Sequence, residues 1–316
     1  MIYEVSHRTT VTYATVVRLA RFNLRLKPAP WPGQILRDYT MHVNPRPASV
    51  REEVGPYVVN RSRLMLKEPI STLTIESRFC VEVLEAQVLL GGLFEGRRYE
   101  GGARGGPSVR QIRNEALAGR DLSATCPASY LYPSRIAAMS EEIGKWARPY
   151  LADDMPVIDA GTALMRAIFE QFKYDKVATK TDTPPAEAFT KKRGVCQDFA
   201  HIMVIAARAH GIPAAYVSGY LRTLPPPGKP RLVGADAMHA WVSLWCGPAL
   251  GWIGFDPTNN KLADTDYIFI GMGRDYGDVS PLDGVFHGGA GQTMRVAVDV
   301  MPLEVVGVGY VALFED

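Results

Sequence analysis

Hydrophobic and polar positions alternate with period two through the first quarter of the chain. Ile2, Glu4, Ser6 and then Thr10 and Thr12 fall in alternating segments rich in β-branched residues, the signature of half-buried strands. Ala20–Lys27 forms a second run, ended by PAPWPG at 28–33. Asp38–Val43 (DYTMHV) alternates again until NPRP stops it. Val54–Val59, Leu64–Lys67 and Ser71–Leu84 follow, each bounded by turn-forming residues. Residues 1–90 therefore predict an antiparallel β domain.

Residues 91–108 break the pattern with seven glycines. A phosphate-binding loop would need a strand before it, a helix after it and a GK[ST] end, and the last is absent. The glycines instead predict a flexible surface loop, and residues 91–130 are assigned to a Gly-rich linker. From residue 131 the apolar spacing becomes helical. Ser134–Tyr150 and Asp159–Phe172 place apolar residues three and four apart, with Met165, Ile168, Phe169 and Phe172 on one face. A polar loop with a double proline (173–189) precedes a third helix, from Cys196 to His210, which buries Phe199, Met203, Ala206 and Ala207. Gly211 and Pro213 stop it. Ala214–Leu221 reads as a strand, a long proline-rich loop spans 222–238, and HAWVSLWC and GWIGFDP read as two more strands. These elements place a core at 131–275. Thr293–Val300 and Val305–Phe314 predict that 276–316 supplies strands closing on the N-terminal or the core sheet.

Composition changes this picture little. Hydrophobic residues make up 47% and charged residues 22%, the balance of a folded protein. The 316 residues suffice for one large domain and one or two smaller ones. A net charge of +2 gives no strong basic field, so neither nucleic acid nor a membrane is expected as a partner. The N-terminus lacks the apolar stretch and cleavage site of a signal peptide, and no window approaches the roughly 18 apolar residues of a membrane span. A cytoplasmic location is expected. Cys80, Cys126, Cys196 and Cys246 form no CxxC pair, which argues against a disulfide framework or structural zinc, and no metal or cofactor is expected. Cys80 falls in an apolar strand, Cys126 (SATCPAS) reads as an accessible loop, and Cys246 falls in a hairpin turn where it is expected to be exposed without being activated.

The candidate chemistry lies in the core. Cys196 opens a predicted helix, where unpaired backbone N–H groups and the helix dipole favour a thiolate; taken alone it also fits a packing residue. His239 opens one strand and Asp256 closes the next. A hairpin with Cys246–Ala249 as a four-residue loop would set Trp245 opposite Leu250 and His239 opposite Asp256, side chains on one face. The carboxylate would then hold one imidazole nitrogen and leave the other for the thiol proton.

These residues resemble a family. GVCQDFAHIMVIAARAHGIPAAYVSGYL, HAWVSLW and GWIGFDPTNN are similar to the Cys, His and Asp motifs of bacterial transglutaminase-like proteins, and they occur in the family's order. YEVSHRTTVTY and LRLKP resemble the family's N-terminal β domain, and GRDYGDVSPLDGV (273–285) its post-core stretch. The resemblance implies Cys196, His239 and Asp256 as a catalytic triad. It implies an α+β fold: a transglutaminase/papain-like core, with the nucleophile helix packed on an antiparallel sheet, preceded by the antiparallel β domain. The family's D-x-x-G-N turn is replaced here by EEVGPYVVN. The extra β domains and calcium control of the animal enzymes are not carried over.

Beside the backbone N–H of Cys196, a second oxyanion donor is needed; Tyr174 is the candidate from family layout and Gln197 another, against packing or solvent roles for each. Asp198 reads as a helix cap. His201 is rotated about 140° from Cys196 around the helix and is not expected to be the base, and His210 is placed to favour the helix dipole. Trp241 and Trp252 either line a substrate groove or pack in the core. Arg274, Asp275 and Tyr276 are expected to wall the site, while Asp275, Asp278 and Asp283 do not have EF-hand spacing. The implied function is thiol-dependent hydrolysis of a peptide or isopeptide amide in a peptide or protein substrate. Alternatives are amide-for-amine exchange, an arylamine N-acetyltransferase-like acyl transfer, or a non-enzymatic binding protein.

Overall fold

In the computed structural model, which describes residues 1–84, 106–223, 236–289, 291–306 and 309–312, the first strand runs on through both alternating segments. β1 (Ile2–Val17) buries Tyr3, Val5, His7, Thr9, Val11 and Tyr13 at every second position. It is followed by β2 (Leu19–Leu24), β3 (Gln34–Asn44), β4 (Ser49–Val54), β5 (Asn60–Leu66) and β6 (Ile70–Val83). The expected strand at Val54–Val59 is instead the turn after β4. Gly55 donates its N–H to the Val59 carbonyl at 2.9 Å and thereby reverses the chain at Gly55-Pro56. Val58 then bridges to Met272 in the core sheet.

The assigned linker at 91–130 is corrected in its second half; residues 85–105, with most of the glycines, lie outside the described residues. Val109–Ala118 forms helix α1, with Ser108 and Gln111 exchanging cap hydrogen bonds. Val109 and Ile112 bury in the main core. The helix expected over Ser134–Tyr150 shrinks to α2 (Glu141–Ala147), capped by the Ser140 hydroxyl, plus a single 3₁₀ turn. Next come α3 (Val157–Gln171), β7 (Lys173–Tyr174), α4 (Pro185–Lys191), β8 (Arg193–Gly194), α5 (Cys196–Ala209), β9 (Ala214–Leu221), β10 (Met238–Trp245), β11 (Trp252–Asp256), β12 (Lys261–Leu262) and β13 (Tyr267–Gly273). The proline-rich loop falls mostly on 224–235, outside the described residues.

The core sheet has the order β12-β11-β10-β9-β13 and is antiparallel throughout. On its inner face Tyr216, Val242, Leu244 and Phe255 pack against α5 and the helices around it. Helix α5 is buried on nearly every side rather than along one stripe, because α2, α3 and α4 cover what the sheet leaves open. β9 is pressed between neighbours at Gly219, where a Cβ would stand 2.2 Å from the Ile268 carbonyl and 2.4 Å from the Trp241 ring.

The C-terminal segment closes on the N-terminal sheets. α6 (Tyr276–Val279) still packs on β9 and β13, so the expected boundary at 275/276 falls a turn early. β14 (Leu282–His287) pairs with β2, and a single long β15 (Gln292–Val306) pairs with β1 before β16 (Gly309–Ala312). The result is a β16-β15-β1-β6-β3 sheet and a β14-β2-β5-β4 sheet sharing an apolar core of Val11, Phe22, Leu64 and Leu73. Tyr3, Val81 and Val300 of the first sheet also pack on Tyr220 and Ile268 of the core sheet. The α+β class, with an antiparallel β unit ahead of a helix-on-sheet core, is what the motifs implied.

Candidate active site

Cys196 is the first residue of α5, and a local device fixes its position. The buried Asp198 carboxylate, three residues after Val195, accepts the Val195 N–H at 2.8 Å and the Thr179 hydroxyl at 2.7 Å. Asp198 therefore closes the helix entrance as expected of a cap, acting backward on the residue before the cysteine. Gly194 leaves room for it: a Cβ there would lie 2.5 Å from Asp198 Oδ2. Burial raises the Asp198 pKa, against the lowering effect of these two hydrogen bonds.

His239 and Asp256 meet as the hairpin argument required, but in a different register. Trp245 pairs with Trp252 and Val242 with Phe255, two residues away from the assumed alignment. Cys246 donates to the Gly251 carbonyl, so the loop is Gly247–Leu250, entered at Gly247 with φ 97°. A two-residue slip keeps every side chain on its face, so Asp256 sits diagonally from His239 rather than opposite it. His239 Nε2 donates to Asp256 Oδ2 at 2.8 Å. With Nε2 so held, Nδ1 is the nitrogen left free of the carboxylate, and the Cys196 side chain adds to what favours the charged ring.

Asp256 is fully buried, and four further donors satisfy it. The Thr258 and Asn259 N–H groups reach Oδ1 at 2.8 and 3.3 Å; Asn259 Nδ2 and the Tyr267 hydroxyl reach Oδ2 at 2.6 and 2.7 Å. Burial pushes the carboxyl pKa up, but the hydrogen bond and charge of His239, with those of Asn259 and Tyr267, outweigh it and hold the carboxyl below its ordinary value. Burial likewise disfavours the His239 imidazolium, yet its bonds to Asp256 and Cys196 raise it to about 10. The site thus favours a charged imidazolium between a carboxylate and a sulfur.

Thr258, Asn259 and Tyr267 were not singled out in the sequence. Asp-Pro-Thr-Asn after a strand is an Asx-turn pattern that points to the first two; nothing local marks Tyr267, which arrives from β13. Tyr267→Phe is expected to cost about 1 kcal/mol in chemical denaturation and to lower kcat a few-fold with KM little changed. Unchanged kcat would show that the hydroxyl does not help orient the carboxylate.

The other candidates divide. Tyr174 lies beside Gly194 in the β7–β8 pair, its ring 6.4 Å from Phe199, with its hydroxyl pKa raised by burial and by the Cys196 charge. Gln197 donates Nε2 to the Thr181 carbonyl at 2.9 Å, which ties it to the 179–183 loop. Trp241 is buried, edge-on to Tyr267, and belongs to the core rather than to a groove. Trp252 donates to the Thr125 carbonyl at 3.1 Å. Asp275 is buried: it caps α6 through Gly277 N–H at 2.8 Å and accepts the Ile136 N–H at 2.8 Å. Tyr276 donates its N–H to His201 Nε2, and the His201 ring stacks on Tyr216; burial lowers that histidine to about 4. His210 meets the Gly144 carbonyl at 2.9 Å. Asp278 accepts the Arg274 N–H, and Asp283 pairs with Arg25. Among the described residues no group of three His, Cys, Asp or Glu side chains is placed to hold a metal ion.

Two cysteines differ from expectation. Cys126 is buried, at the start of a 3₁₀ turn, rather than accessible. Cys246 is buried in the core, which pushes its thiol up to about 12.

Comparison with known proteins places these features. Residues 144–257 match the transglutaminase-like superfamily, and residues 3–82 match the bacterial transglutaminase-like N-terminal region. An uncharacterized protein of Mycobacterium tuberculosis H37Rv is 33% identical over 306 residues, 96% of this chain and 93% of its own. A protein-glutamine gamma-glutamyltransferase of Pseudomonas aeruginosa is 35% identical over 117 residues, 34% of this chain and 17% of its own. The solved structure of a proposed cysteine protease from Cytophaga hutchinsonii shares the fold, with a TM-score of 0.68 at 21% identity over 97% of this chain and 92% of that one.

Proposed function

The chain belongs to the bacterial transglutaminase-like family, and we propose that within it this protein is a thiol enzyme that cleaves peptide or isopeptide amides. The observation that carries the proposal is the His239 imidazole, held by Nε2 2.8 Å from the buried Asp256 carboxylate and kept charged in part by the Cys196 side chain. Cys196 as thiolate attacks the amide carbonyl carbon, and the oxyanion forms beside the N–H groups at the start of α5. The C–N bond breaks as the His239 imidazolium gives its proton to the departing amine, leaving a thioester. His239, now neutral, takes a proton from water as water attacks the thioester, and the acid product leaves with the thiolate restored. Asp256 stays ionised and orients the ring throughout. Tyr174 is the side chain proposed as second oxyanion donor.

The likeness to a glutamyltransferase favours a second reading, in which an amine replaces water in the last step. Incubation of the protein with glutaminyl and isopeptide-linked peptides, with and without a primary amine, separates the two by mass spectrometry. A mass gain of the amine supports exchange, hydrolysed product supports cleavage, and no thioester or product from any donor removes both.

Selective alkylation checks the nucleophile itself. An ordinary thiol with a pKa of about 8.5 is roughly 0.3% thiolate at pH 6. Paired with the His239 imidazolium, Cys196 is expected to react with iodoacetamide about ten times faster than Cys80, whose thiol burial raises, and faster still than the buried Cys126 and Cys246. Peptide mapping after brief labelling reads each rate. A Cys196 rate that survives His239→Ala unchanged would show that the pair does not activate the thiol.

A further inference from the structure

The β14-β2-β5-β4 sheet turns one face into the Phe22–Leu64 core and the other toward the catalytic unit. On that second face the strand register sets Asp283, Asn23, Arg63 and Arg51 in one row and Val285, Arg21, Met65 and Ser49 in the next. Across from it stand Arg135 and Ile136, Met139, and the 180–186 segment that leads into α4. Between the two walls lies a cleft of about 1490 Å³.

The charges in this cleft are unbalanced. Arg25, on its floor, is already neutralised by Asp283 and donates to the Ser280 carbonyl at 2.9 Å. Arg63 shares Glu53 with Arg61 at the sheet edge, 3.3 Å away. Arg21, Arg51, Arg135 and Lys180 are exposed and pair with no carboxylate among the described residues. Asp182 is the one acidic residue of the described lining not already engaged with Arg25. Arg51 stands directly opposite Arg63 across β4 and β5; Glu53 pairs with Arg63, and no carboxylate among the described residues pairs with Arg51.

We propose that this cleft docks an acidic stretch of polypeptide. The cations are spread over two walls rather than converging on one point, so they suit several carboxylates along a chain better than a single phosphate. Met65, Ile136, Met139 and Val285 stand between them, matching the mixed acidic and apolar side chains of an extended peptide. A single-stranded nucleic acid would want exposed aromatic faces for its bases, and Tyr276 is the one partly open ring in the described lining. The cleft also abuts the catalytic helix. Its wall includes Thr181, whose carbonyl holds Gln197, and follows directly on Thr179, whose hydroxyl holds Asp198. A segment docked here lies against Ile205 of α5 and the 180–181 loop that holds the helix entrance, outside the Cys196–His239 pair. Its service as a substrate exosite rests on the acyl-transfer reading; the binding itself does not.

The test uses the Cys196→Ala protein and a fluorescent peptide of about twelve residues alternating glutamate with leucine or alanine, followed by anisotropy. We expect binding that falls about tenfold between low and physiological salt. It should fall about tenfold again in Arg51→Gln/Arg63→Gln and in Arg135→Gln, which alter opposite walls and leave the melting temperature unchanged. No binding, binding by either variant as tight as that of the parent Cys196→Ala protein, or tighter binding of an oligonucleotide of equal charge overturns the proposal. In the active protein, an amide substrate carrying the acidic stretch should show a lower KM than one without it, and Arg51→Gln/Arg63→Gln should erase the difference. Turnover indifferent to the stretch overturns the exosite role. Peptide binding with no turnover of any donor leaves the docking standing and removes the catalytic reading.

Discussion

Cys196→Ala is expected to reduce turnover of any amide substrate by at least about 10⁴-fold while the protein melts within about 1 kcal/mol of wild type. The sulfur is the one protein atom in the proposed reaction that forms a bond to the acyl carbon, and nothing else at the start of α5 replaces it. Cys196 is only partly buried and occupies the first helical position, where alanine is a good helix former. The Asp198 device that sets the helix entrance does not touch the thiol, so it survives the substitution. Turnover and thermal unfolding measured on one preparation decide the matter; turnover within tenfold of wild type would sink the assignment.

Histidine and aspartate variants should separate in opposite senses on two axes. His239→Ala removes the group that moves the proton, and kcat/KM should fall by about 10⁴-fold or more. Asp256→Asn leaves the imidazole in place but weakens its orientation, for a smaller loss of roughly 10²- to 10⁴-fold. Stability should rank the other way. The buried Asp256 accepts five hydrogen bonds, and an amide would turn donors toward the Tyr267 hydroxyl, Asn259 Nδ2 or His239. The expected cost is about 2–4 kcal/mol in urea or thermal unfolding. The pH dependence has a definite sign as well. A carboxyl held below its unfolded value adds stability that is fully present above about pH 4 and is lost as pH falls through the folded value, so Asp256→Asn should flatten the acid limb. Equal rate losses in the two variants would mean that Asp256 does more than orient the ring.

Most of this arrangement was legible because it rests on parity and periodicity. The face shared by His239 and Asp256 depends on whether residues are odd or even along two strands, so a two-residue slip in the hairpin left their meeting intact. Helix α5 was plain from its apolar residues and the Gly211 stop. What escaped had weak local signals. Helix α1 offers three buried positions, Val109, Ile112 and Ala116, behind a glycine-rich stretch, and its Ser108–Gln111 cap was the one mark of it. Cys126 and Cys246 sit in segments that read as exposed turns, and only the packing of distant elements covers them. Tyr267 reaches Asp256 from a strand that joins the sheet beyond β9. Charge was the least legible: a net +2 gives no sign that arginines from β2, β4 and β5 would collect on one wall of a cleft, since a sum over the chain discards where the charges lie.

The pairing of β1 with β15 has a kinetic consequence. Ile2 lies beside Leu303 and Thr12 beside Thr293, so β1 gains one of its two neighbours only from residues near the far end of the chain. β6, its other neighbour, is available after some eighty residues. During synthesis β1 therefore waits with one row of backbone groups unpaired until the Gln292–Val306 strand has left the ribosome. Contacts this distant in sequence are entropically late and slow. The seam between β1 and β15 is thus where a nascent or truncated chain would expose an open sheet edge, and the segment 236–238 just before His239 is tied to the same late strand, with Asp236 bridging to Val298 and accepting the Val300 N–H at 2.9 Å.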